Sequence, residues 1–192
     1  DAQRMPLGTC SSASPTVNKR ALNAWWSHRS VPDARLGLIS RYRELLITSG
    51  IEVPVECLGL SLSDCYWLRP ADCEGLEWRD LNYFENDFER SAPEGRSGWL
   101  EGIGLKNPDN TSEGELPKSW MIRRGVRVLA KGCGMDDQRP FNEVVATALH
   151  RRLLPEDEFV SYTVERMFNG PVCLCDDFLD GREEYVPAVY VK

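Results

Sequence analysis

The last third of the chain carries the most regular pattern of apolar and polar positions. Trp120–Arg123 and Val126–Lys131 read as short strands joined around Arg124-Gly125, a pair suited to a tight hairpin. Pro140 opens a helix at its first turn, where a missing N–H costs little. Phe141, Val144, Val145, Ala148, Leu149 and Leu153 give that helix an apolar stripe, and Pro155 ends it. Phe159–Phe168 and Pro171–Leu174 read as strands around Asn169-Gly170, and Tyr185–Val191 as a final strand. Strand, strand, helix, strand, strand, strand predicts an antiparallel sheet with one packed helix, an α+β fold.

The first part is helical in pattern. Ala21–Ser30 reads as a short helix with Leu22, Trp25 and Trp26 near one face. A second helix opens at Pro32, carries Leu36, Ile39, Tyr42, Leu45 and Leu46 at helical spacing, and stops at Gly50. Trp78–Phe88 reads as a further short helix with Trp78, Leu81, Tyr83, Phe84 and Phe88 inward. Residues 1–18, rich in Ser, Thr and Pro, read as a loose lead-in. Ser91–Asn110 is full of Gly, Pro, Ser and charge, as a long loop or joint would be. The division expected is a mostly helical accessory region over 1–108 and a sheet-bearing unit over 109–192.

Composition narrows the class. The 192 residues are 42% hydrophobic and 28% charged, an ordinary globular balance. The net charge of −7 argues against nonspecific nucleic-acid binding, although Arg123, Arg124, Arg127, Lys131 and Arg139 form a local basic concentration. No apolar run approaches a membrane span and no secretory signal is present, so the expected setting is the cytoplasm. The seven cysteines are odd in number and irregular in spacing, which favours reduced thiols. Cys173-Leu174-Cys175 is too tight for an ordinary zinc pair and no second pair follows it. The chain begins at Asp1 rather than Met, as a piece of something longer would.

Three features of the last third bear on chemistry. Asn110–Lys118 is a polar turn before a strand, in which Ser112 offers a hydroxyl, Gly114 allows close backbone approach and Lys118 adds charge. It is neither a Walker loop nor a G-x-G-x-x-G, and taken alone it is an ordinary surface loop. Lys131 ends an apolar strand, a place where lysine is commonly solvated but where it can also meet a phosphate. Glu143 falls in the first turn of the following helix, which suits the helix dipole. It would equally suit an ion pair that aims Lys131, the strand-lysine and helix-glutamate order of a kinase N-lobe.

Gly114-x-x-x-Lys118, the strand ending in Lys131 and the helix opened by Asn142-Glu143 together resemble the HipA-like serine/threonine protein kinases. The resemblance is nearer still to members with an extra N-terminal region. Leu22-Asn23 with Trp26, Arg29 and Pro32 is similar to the opening of that region. Gly59–Pro70 and Trp78–Phe88 are similar to its two most specific strings, and Cys173–Phe178 to a later one. The likeness runs over about residues 20–192.

It implies a kinase N-lobe with a phosphate loop at Ser112 and Gly114, a nucleotide lysine at Lys131 and its partner at Glu143, using ATP and Mg2+ to phosphorylate a protein. It also implies a missing helical lobe carrying the catalytic aspartate and metal ligands, so that this chain alone is expected to be inactive. Autophosphorylation of the loop at Ser112, or next at Thr111, would put charge where ATP binds. The rival is a non-catalytic DNA- or partner-binding module of a mobile-element protein, with paired helices near residues 21–50. The acidic balance speaks against it.

Overall fold

The structure, a computed structural model, describes residues 5–6, 8–11, 14–29, 55, 57–88, 107–108, 117–132, 138–167 and 170–186. The helix expected from Pro32 to Gly50, the joint at 91–106 and the turn at 109–116 lie outside them.

Strands β3 (Lys118–Arg123) and β4 (Val126–Lys131) form the expected hairpin. Its central residues Arg124 and Gly125 have φ of 52° and 83°. Two positive φ values match the right-handed twist of the strands, and glycine supplies one of them without strain. Strand β6 (Gly170–Asp176) pairs with β4, and β5 (Thr163–Met167) pairs with β6. The sheet order is β3-β4-β6-β5, antiparallel throughout. Helix α2 (Arg139–His150) has Pro140 in its first turn and packs against β5 and β6. The fold is therefore α+β. No helix among the described residues is long and apolar enough to cross a membrane.

Alternation along the strands gives the sheet two faces. One buries Met121, Val128, Ala130, Val172 and Leu174 together. The other turns Trp120 and Leu129 into a cluster with Leu60, Leu62 and Tyr83. This second cluster draws on both sides of the 108/109 boundary. Arg127 adds to the join, donating from Nε to the Tyr83 carbonyl at 3.0 Å and from Nη2 to the Asn86 carbonyl at 3.2 Å.

Several elements differ from the pattern. The lead-in holds a small hairpin, β1 (Cys10–Ser11) with β2 (Ser14–Val17), in a stretch that shows no apolar alternation. Helix α1 runs over Lys19–His28, starting where the Asn18 side chain accepts the N–H groups of Arg20 and Ala21. At Trp78–Phe88 only a 3-10 turn forms, over Trp78–Asp80. There the Asn82 side chain donates to the Trp78 and Arg79 carbonyls and accepts from the Glu85 N–H, diverting the bonds that a helix would need. Phe159–Tyr162 is irregular, Tyr185 and Val186 are not in a strand, and residues 187–191 of the expected final strand lie outside the described residues. The α2 stripe is also not a core stripe: Phe141 is 47% exposed, Val145 68% and Leu149 55%. The helix instead buries Pro140 and Thr147, because Thr147 is bonded to the chain entering β5.

Candidate functional site

Cross-strand register decides what faces what. Lys118 lies directly opposite Lys131, Trp120 opposite Leu129, and Leu129 opposite Cys175. Residues opposite each other share a face. The face therefore presents a pair of lysines, then an apolar row of Trp120, Leu129 and Cys175. The next row holds Asp177, whose N–H donates to the Arg127 carbonyl at 2.8 Å. Successive rows are about 7 Å apart.

This face floors a cavity of about 580 Å³, within the range of small-molecule sites. The first part of the chain also lines it, with Thr9, Trp25, Arg29 and Asp64 among its residues, as do Phe178 and Glu184 from the last part. One end of the floor is cationic, the middle apolar and the far end acidic.

Lys131 is held by two side chains. Its Nζ lies 4.0 Å from Glu143 Oε1, with the lysine side chain 18% exposed and the glutamate 36%. It also donates to the Tyr162 hydroxyl and lies 4.5 Å from the centre of that ring. Burial raises the Tyr162 pKa, and the neighbouring Cys175 and Glu143 add to the shift, so the phenol stays neutral. Burial likewise pushes the Cys173 thiol up to about 11, with Glu143 adding to it. Cys173 and Cys175 behave as packing residues in this setting, not as reactive thiolates. Among the described residues no group of three or more His, Cys, Asp or Glu side chains is arranged to hold a metal ion.

The structure thus brings together Lys118, Lys131 and Glu143 from the sequence-predicted set. Ser112 and Gly114 lie outside the described residues, as does the relation of Lys131 to their loop. The basic concentration is dispersed: Arg123 pairs with Glu165 at 2.8 Å and Arg127 binds backbone carbonyls, while Lys131 faces the cavity. Sequence reasoning missed Tyr162, Trp25 and Asp177 as wall residues. No motif marks Tyr162 or Trp25, and Asp177 falls within the Cys173–Phe178 string without a role there; the strand register and the fold of the first part place them in the lining.

A scan of protein-family models found no match, and searches of curated proteins and of solved structures found none either.

Proposed function

We propose that this chain is the nucleotide-binding N-terminal part of a HipA-like protein serine/threonine kinase. The observation that carries the reading is the approach of Lys131 to Glu143 at 4.0 Å, a strand lysine meeting a glutamate of the next helix, in its second turn rather than the first as the sequence suggested because the helix already starts at Arg139. In phosphoryl-transfer enzymes this pair aims the lysine at a nucleotide phosphate. The cavity floor is compatible with that use. Two lysines suit phosphates, and an apolar row with Trp120 suits a flat base.

On this reading Mg2+ enters with ATP, and the catalytic base and metal ligands belong to a second, helical lobe. The chain alone then binds ATP weakly and transfers no phosphate, because it supplies part of the contacts against the full entropy cost of association.

Titration of the chain with MgATP, followed by tryptophan fluorescence, tests the reading. Saturable binding is expected, and Lys131→Met should weaken it about tenfold or more, as loss of a charged hydrogen bond does. Absence of binding at millimolar ATP, or salt-dependent DNA binding instead, would favour the non-catalytic module.

A further inference from the structure

We propose that Tyr162 is a positioning residue for Lys131, holding the amine at the mouth of the phosphate end so that Glu143 need not hold it alone. The inference rests on the nucleotide reading of the cavity but is carried by separate contacts.

A lysine has a flexible four-carbon stem, and one distant counter-ion does not fix its head. At 4.0 Å, the Glu143 contact is an ion pair without a hydrogen bond. Tyr162 supplies what is missing. Its hydroxyl accepts from Nζ, which lies at the hydroxyl edge of the ring, 4.5 Å from the ring centre. This contact limits the directions in which the amine can turn.

Tyr162 is itself fixed by the helix that carries Glu143. Its backbone N–H donates to Thr147 Oγ1 at 2.9 Å. Thr147 Oγ1 in turn donates to the Glu143 carbonyl at 2.9 Å. Lys131, Glu143, Thr147 and Tyr162 therefore close a ring of contacts across β4, α2 and the segment entering β5. Any shift of α2 against the sheet moves both partners of Lys131 together. The Tyr162 phenol also lines the cavity and stays neutral on burial. It can therefore accept from the lysine while its own hydrogen is turned elsewhere.

Two measurements on the chain as it stands test this. The first needs no nucleotide. Acetic anhydride labelling of Lys131, read by peptide mass spectrometry, should rise about threefold to tenfold in Tyr162→Phe, the range of one net hydrogen bond. Thr147→Val, which leaves the phenol in place but cuts its tie to α2, should raise it in the same direction. The second is a double-mutant cycle on MgATP affinity. Tyr162→Phe should weaken binding in the wild-type background and have no further effect beside Lys131→Met. Unchanged labelling in Tyr162→Phe overturns the proposal. So does an affinity loss that persists in the Lys131→Met background, since Tyr162 would then act through packing. If labelling rises but no variant nor the wild type binds MgATP, the positioning role stands and the nucleotide reading fails.

Discussion

Arg29 and Asp64 form a buried two-pronged ion pair, with Nη1–Oδ2 at 2.8 Å and Nη2–Oδ1 at 2.7 Å. Their side chains are 5% and 7% exposed. The same guanidinium donates to the Tyr66 carbonyl at 2.8 Å and lies 4.3 Å from the Trp25 ring centre. Asp64 Oδ1 also accepts the Tyr66 N–H, so the pair fixes both the end of α1 and the Ser61–Tyr66 turn along one cavity wall. Burial pushes the Asp64 carboxyl up while the Arg29 charge opposes it.

Removing one partner strands a buried charge. Arg29→Met should therefore cost about 3–5 kcal/mol in urea unfolding. Replacing both, as Arg29→Met with Asp64→Leu, should recover much of that loss. Equal destabilisation in the single and double variants would show that the pair does not hold the wall.

Gly132, just after Lys131, sets how closely β4 approaches the start of β6. A Cβ there would lie 2.8 Å from the Pro171 carbonyl oxygen and 3.0 Å from Val172 Cγ1. Backbone cannot yield as a side chain does, so Gly132→Ala should lose about 1–3 kcal/mol. It should also raise the labelling of Lys131, because the strand end must shift. Wild-type stability in thermal melts would mean that the approach relaxes freely.

Arg124 occupies the left-handed region at φ 52°, a conformation that asparagine adopts more readily than arginine. Arg124→Asn makes the turn Asn-Gly and should stabilise the chain by about 0.5–1 kcal/mol, chiefly by favouring the hairpin. A lower unfolding midpoint would indicate that the arginine side chain contributes more than its backbone costs.

The sheet was legible where apolar alternation and turn residues agree, as at Lys118–Lys131, where the Arg124-Gly125 turn lies between two strands of matched length. The approach of Lys131 to Glu143 was legible from the order of strand end and helix, but the helix starts at Arg139, which puts Glu143 in its second turn. The walls of the cavity were not. Arg29 and Asp64 are 35 residues apart, and nothing in either neighbourhood announces the other. The segment Trp78–Phe88 has helical apolar spacing, but Asn82 bonds its own backbone and stops the helix after one turn. On α2, periodicity located an apolar face but not which face meets the sheet; the buried face carries Thr147, whose hydroxyl accepts the Tyr162 N–H.

The two faces of α2 should respond oppositely to substitution. Val145→Gln and Leu149→Gln alter residues 68% and 55% exposed and should change stability by no more than about 0.5 kcal/mol. Thr147→Val is nearly isosteric, yet it removes the acceptor of the Tyr162 N–H. At a residue 2% exposed that should cost about 1–3 kcal/mol. Chemical denaturation of the three variants checks the contrast. A large loss from Val145→Gln would show that the face is covered in solution.

Asp177 gives the chain a pH dependence of opposite sign to the usual carboxylate. Burial raises its pKa from 3.8 to about 6, against opposing contributions from the Leu179 N–H and the Arg127 charge. Oδ1 accepts from that N–H at 3.2 Å, while Oδ2 has no hydrogen-bond partner among the described residues. Between about pH 4 and pH 6 the folded chain keeps a proton at this site that the unfolded chain releases. Folding therefore takes up a proton, and stability from this group falls as pH rises through that window. Above about pH 6 the penalty is complete and no longer changes with pH. Asp177→Asn removes the titration and keeps the shape. The difference in urea midpoint between variant and wild type should grow from about pH 4 to pH 6, with the variant gaining, and then level off. A difference that stays constant over this range would mean that Asp177 titrates as an ordinary exposed carboxylate, and that the acidic end of the cavity is open to water.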